Sequence, residues 1–263
     1  MESSNSNELS TLGRVDGGQT SVIIVTMRVE PFSEGSFVHV IKRGCRGMDI
    51  VLDNSDKWQF TKSLFVLNDS YRNENWHRET ADLPLFIRPA HWPKREPLTD
   101  ILAWVLMPNH FHILLHEKKE GGISKFMQRL CGSMSMSFNT KYKNKGSIFQ
   151  GSYKAKAVDE DSYLRYLAFY IHVKNVLELY PGGLKKVLID FNHAWDWALN
   201  YPFSGIAAYI KGTNSQIIND VDGLMTSIHS KTINKQESYE MLREYINKGK
   251  DIWSDRLQEL TLE

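Results

Sequence analysis

The stretch from Ile101 to His116, ILAWVLMPNHFHILLH, constrains the fold more than any other part of this chain. It is apolar on both sides of Pro108-Asn109, a dipeptide with turn chemistry, and each half has the length of a strand rather than of a helix. The expected local structure is one strand over Ile101–Met107 and another over His110–His116, joined as a hairpin or as a bulged continuation. Side chains of an extended chain alternate faces, so His110 and His112 share one face, roughly 7 Å apart, while Phe111, Ile113 and Leu115 take the other. Such a strand can hold two neutral imidazoles beside one divalent cation and still bury its opposite face. A His-x-His triplet in a chain with nine histidines also serves as ordinary packing, so its neighbours have to decide.

Those neighbours describe an α+β chain. Ser36–Lys42 reads as a strand, followed by a glycine- and arginine-rich turn over Arg43–Gly47. Asp53–Leu67 reads as a helix with Trp58, Leu64, Phe65 and Leu67 near one face. Residues 68–97 hold four of the eight prolines and read as an insertion with room for a short strand at Leu85–Ile87. Ser124 is positioned to cap a helix running to Tyr142, whose Phe126, Met127, Leu130, Met134 and Phe138 form an apolar stripe. A short strand is expected within Phe149–Val158. A further helix, Asp161–Leu179, carries Tyr163, Tyr166, Tyr170 and His172 and is closed by Pro181-Gly182-Gly183. This order is the split βαβ pattern of a ferredoxin-like or RRM-like antiparallel sheet with helices on one face. Trp195–Trp197 and Tyr201–Phe203 read as an aromatic lid over the core, and Asn234 as the cap of a last helix. The expected division is a flexible tail at 1–20, a main domain at 21–183 and a mostly helical extension at 184–263.

Charge is informative in its distribution. Between Lys118 and Lys156 nine basic residues face the single acid Glu120, a local +8 in a chain of net charge +1. Aromatics interleave these cations, which suits a polyanion such as nucleic acid better than a plain solvated face. Cys45 and Cys131 have no metal-type spacing and read as free thiols of a reducing cytoplasm. The polar N-terminus lacks the apolar core of a secretory signal, and no run approaches a membrane span.

Several pieces together resemble one family. Leu106–Leu115 looks like the His-hydrophobe-His (HUH) motif of the IS200-like, single-tyrosine transposases, in particular the REP-associated tyrosine branch. Val38–Gly44 resembles the family's first strand with its Arg-Gly turn, Gly146–Gly151 its Gly-x-x-Phe-Gln segment, and Tyr170-Ile171-His172 the start of its nucleophile helix. The resemblance spans about 36–212, in order. It implies a metal-dependent single-stranded DNA endonuclease and strand transferase. Tyr170 is then the nucleophile, with Tyr166 the runner-up, and His110 and His112 are ligands to Mg²⁺ or Mn²⁺. Arg43, Arg46, Lys154 and Lys156 are implied to position a hairpin-bearing single strand, and no membrane partner is expected. The family pattern breaks at the fourth position after Tyr170, where Lys174 replaces an amide ligand. A protonated lysine cannot ligate a metal. Either a local helix distortion lets Asn175 serve, or water fills that place while Lys174 contacts the scissile phosphate. The same break admits a second reading, a catalytically inactive hairpin-binding protein. A two-histidine phosphodiesterase needs two His-x-Ser/Thr motifs and is set aside, since His229-Ser230 has its serine one place early. Family members act as monomers or homodimers, and the length after residue 184 favours a monomer.

Overall fold

In a computed structural model, the structure describes residues 32–248. The expected tail at 1–20 lies outside them. Four strands, β1 (Phe37–Arg43), β2 (Thr99–Leu106), β3 (His110–Glu117) and β4 (Lys154–Ala157), form one antiparallel sheet in the order β2-β3-β1-β4. This is the strand order that the split βαβ pattern requires. Residues 107–109 close β2 and β3 as a hairpin, with Met107 N–H donating to His110 O at 2.9 Å.

Two helices cover one face of the sheet. Helix α1 (Asn54–Val66) starts at a capping box in which Asp53 accepts from Asp56 N–H at 3.1 Å and Asp56 accepts from Asp53 N–H at 3.3 Å. Its buried face is Phe60, Leu64, Phe65 and Val66, whereas Trp58 is half exposed and packs on Phe203. Trp58 therefore does not belong to the apolar face that its spacing suggests. The insertion holds one helical turn, α2 (Trp76–Glu79), and no strand at Leu85–Ile87. Helix α3 (Gly122–Tyr142) buries the expected stripe. It begins two residues before the expected Ser124 cap. The buried Glu117 carboxylate accepts from Ile123 N–H at 3.1 Å instead, and a Cβ on Gly122 would lie 2.3 Å from Leu98 O. Ser124 Oγ pairs with Tyr153 Oη at 3.1 Å.

The opposite sheet face is covered as well. It carries α4 (Asp161–Phe169), a π-helical segment Tyr170–Lys174 and α5 (Asn175–Glu178), which share one buried cluster with Leu102, Val105 and Leu114. The same cluster takes in side chains of α6 (Gly183–Ile189), α7 (Phe191–Asn200), α8 (Ile206–Ile210), α9 (Leu224–Thr232) and α10 (Lys235–Lys248). Edge strand β2 is closed by this extension: Leu106 N–H donates to Phe203 O at 3.0 Å, and Gly205 N–H donates to Trp104 O at 2.9 Å. At the irregularity between Ile101 and Ala103, Tyr209 Oη donates to the Leu102 carbonyl at 2.8 Å, so the bulged residue keeps a partner. The aromatic lid is thus part of the core: Trp195 and Phe203 are buried, and Trp197 stacks on Tyr201. Asn234 caps α10, accepting from Glu237 N–H at 2.9 Å. Among the described residues no helix is long and apolar enough to cross a membrane.

Candidate active site

Strand β3 sets the site. His110 and His112 share the sheet face that Leu114 occupies, while Phe111, Ile113 and Leu115 enter the other core. The two imidazoles stand edge to face with ring centres 4.9 Å apart. His110 Nδ1 lies 2.6 Å from Asn109 Oδ1, and Asn109 Nδ2 donates to Gly47 O at 3.2 Å, which orients that amide. Because Oδ1 only accepts, His110 Nδ1 donates and a neutral His110 keeps a bare Nε2. Burial, reinforced by Arg43 and Lys174, pulls His110 down to about 4. Burial and the neighbouring His110 and His39 hold His112 well below the usual imidazole range. Both rings are therefore neutral at pH 7, as ligands must be. His112 Nε2 is buried and unpartnered among the described residues, which fits a cation-binding nitrogen. No group of three or more His, Cys, Asp or Glu is arranged for a metal among the described residues.

Tyr170 comes to this pair from the layer packed on that face. Its ring centre lies 5.4 Å from that of His112, nearly perpendicular, and Tyr166 packs on Tyr170 at 5.9 Å. Tyr170 is 9% exposed, and burial raises its phenol above the usual value while Lys174 and Arg43 pull the other way. Lys174 is buried, with its ammonium 5.1 Å from the Tyr170 ring centre and 5.5 Å from that of Tyr245 on α10. It donates to Glu178 at 2.7 Å and to Asn175 Oδ1 at 3.4 Å. Burial alone would lower Lys174, but Tyr170 and Glu178 outweigh it and hold its pKa above the usual lysine value.

The local distortion needed for Asn175 is present. In the π segment Asn175 N–H reaches back to Tyr170 O, five residues earlier, so Asn175 takes the backbone place that the fourth residue holds in an α-helix. Asn175 is fully buried and its Nδ2 lacks a partner among the described residues.

The expected DNA-contacting cations divide by place. Arg43 pairs in register with His110. Lys154 stands opposite Ile41 and Lys156 opposite His39, on the sheet face of the histidine pair. Arg46 is exposed in the turn Cys45–Gly47, at φ 55°. Gly44 before it has no room for a side chain, since a Cβ would meet Met48 O at 1.9 Å. The dense basic stretch is not one patch: Lys118 pairs with Asp100, Lys141 with Asp53 and Asp56, and Arg129 donates to the Asp69 carbonyl. His172 is buried and bonded to His229 at 2.8 Å, a packing role. One residue of the site, His39, is not singled out by sequence reasoning. Its signal is alternation on β1, which sets His39, Ile41 and Arg43 on one face, opposite Leu114, His112 and His110.

Residues 86–174 match the family described as "Transposase IS200 like". The resemblance read from the motifs holds over this stretch, which runs from the insertion through the His-Phe-His strand to the π segment. No curated protein matches the chain. Among solved structures, the REP-associated tyrosine transposase bound to a REP hairpin is 13% identical, with a TM-score of 0.43, covering 74% of this chain and 92% of its own.

Proposed function

We propose that the chain is a single-tyrosine transposase that cuts and rejoins single-stranded DNA through a covalent bond to Tyr170. The observation that carries this reading is the contact between the Tyr170 ring and His112, one of two neutral imidazoles on the same strand face. The IS200-like match over 86–174 supports the same reaction class. His110, His112 and Asn175 would hold Mg²⁺ or Mn²⁺, which would polarise the scissile phosphate. Tyr170 Oη gives its proton to solvent and attacks phosphorus, and the bond to the 3′ oxygen breaks as that oxygen takes a proton from solvent. The products are a 5′-phosphotyrosine and a free 3′-OH, which conserve the bond for rejoining. Lys174 and Arg43 favour the phenolate, opposing the burial that disfavours it. Arg43, Arg46, Lys154 and Lys156 position the strand rather than read its bases. A hairpin near the cleavage point is the substrate class that the motif resemblance supports.

One observation favours a second reading, a hairpin-binding protein without cleavage. Tyr170 is nearly buried, with the Lys174 ammonium 5.1 Å from its ring centre. Denaturing-gel capture separates the two. Labelled single strands from the flanks of the gene are incubated with protein and Mn²⁺, with EDTA, and with Tyr170→Phe. A metal-dependent adduct absent from Tyr170→Phe is expected. An adduct that persists in Tyr170→Phe moves the nucleophile elsewhere, with Tyr166 the first candidate, and tight binding with no adduct leaves the binding-only reading.

A further inference from the structure

His39 is fully buried on β1, on the sheet face of His110 and His112, and its Nε2 lies 3.0 Å from His112 Nδ1. The two rings stack with centres 5.3 Å apart and planes 15° from parallel. The far nitrogens, His39 Nδ1 and His112 Nε2, are both buried without a partner among the described residues. Both rings are buried, where the neutral imidazole is the less costly form, so each carries one N–H.

One proton lies between the rings, and two arrangements follow. If His39 Nε2 donates, the proton of His112 sits on Nε2 and that nitrogen has no lone pair to offer. If His112 Nδ1 donates, Nε2 is bare and the spare proton sits on His39 Nδ1. Only the second leaves His112 Nε2, the nitrogen turned away from His39 and without a partner among the described residues, with a lone pair for a cation. The neighbouring His110 is held in that same tautomer by Asn109 Oδ1. The two strand histidines then present two Nε2 lone pairs, and each owes its tautomer to a separate acceptor.

We propose that His39 is a positioning residue that accepts from His112 Nδ1–H and thereby keeps His112 Nε2 bare for a divalent cation. Its purpose rests on the cation-binding reading given above, although the tautomer itself can be tested without any metal. A purely packing role for His39 does not explain the Nε2–Nδ1 bond.

The test uses the full chain as wild type, His39→Gln, whose amide oxygen can replace Nε2 as acceptor, and His39→Leu, which fills the space without one. Mn²⁺ affinity is read by electron paramagnetic resonance, histidine tautomers by ¹⁵N NMR on metal-free protein, and folding by circular dichroism. His39→Leu should weaken Mn²⁺ binding about 10- to 100-fold, the usual effect of losing a ligand's hydrogen-bond partner. His39→Gln should restore most of it, and wild-type His112 should carry its proton on Nδ1. Unchanged Mn²⁺ affinity in His39→Leu, or an Nε2-protonated His112 in wild type, overturns the proposal. If wild type binds no Mn²⁺, the cation reading fails, and the ¹⁵N spectra of wild type and His39→Gln still decide the tautomer. Should His39→Leu not fold, the same two proteins decide it.

Discussion

Lys174 is the residue on which chemistry and charge meet. An ammonium this close to a phenol is of little use as a ligand but is well placed to hold a phenolate. Replacing it by Met should slow covalent capture by ~10²-fold, the scale of losing one charge-stabilising group in a closed site. Global stability should change little, because the partner left behind, Glu178, is about half exposed and stays solvated. Single-turnover capture at saturating DNA, beside urea unfolding, checks both halves, and capture as fast as wild type would make Lys174 a bystander. For the opposite reason Asn175→Asp should tighten Mn²⁺ binding, since a carboxylate is a better ligand than an amide for a hard cation. A titration that shows no change would remove Asn175 from the ligand set.

At the scale of elements, the π segment and the extension act on the same place. The extra residue of the π turn shifts everything after Tyr170 by one position, and His172 on that turn is held by His229 of α9. His229 Nδ1 lies 2.7 Å from the Met225 carbonyl, to which it donates, so its Nε2 accepts from His172 Nδ1–H. Gly205, which leads into α8, closes over this contact: a Cβ there would stand 2.7 Å from His172 Nε2 and from Ile218 Cδ1. Gly205→Ala should therefore cost about 1–3 kcal/mol, as overpacking in a filled core does. Urea denaturation of the variant measures it. A cost near zero would show that α8 shifts freely relative to the π turn.

For the whole molecule, the extension and the tyrosine helix share one core. Trp195, Ala198, Ile206, Met225 and Leu242 lie in the same buried cluster as Tyr163, Leu167 and Ile171. A chain ended at residue 183 should lose cooperative unfolding, since that face of α4 and the π segment would meet water. A sharp thermal transition in the truncated protein would argue that 21–183 folds by itself. Acid should weaken the intact fold as well. Burial holds His229 at about 4 against an ordinary 6.5, so it stays neutral in the fold. Its contribution is complete above pH 6.5 and is lost as pH falls from 6.5 towards 4, where the unfolded chain binds a proton that the folded chain refuses. At pH 5 the loss from this group is about 2 kcal/mol. Unfolding free energies at pH 7.5 and 5.0 should show a smaller drop in His229→Gln than in wild type. Equal drops would mean that His229 is charged in the fold.

The alternation of His110, Phe111, His112 and Ile113 is enough to place two imidazoles on one face, because strand geometry is local. Tyr170 as the reacting tyrosine rests on a motif resemblance, and its contact with His112 is what the fold adds to it. Helix starts are less legible. Ser124 has the right chemistry for a cap, but Glu117, the last residue of β3, turns a buried carboxylate onto the Ile123 N–H and the helix begins earlier. The basic stretch from Lys118 to Lys156 reads as one cationic surface, yet the partners of Lys118, Arg129 and Lys141 come from elsewhere in the chain: Asp100, Asp69, and Asp53 with Asp56. Spacing along the chain carries no record of such pairings.

The sequence by itself determined the order of the strands and helices along the chain, the two-faced β3 and the candidate pair His110 and His112, because alternation and turn chemistry act over a few residues. Tertiary structure alone decided that His39 bonds His112, that Lys174 lies over Tyr170 and that the extension seals the tyrosine helix. In each case burial and packing between layers, which leave no local periodicity to read, set the partner.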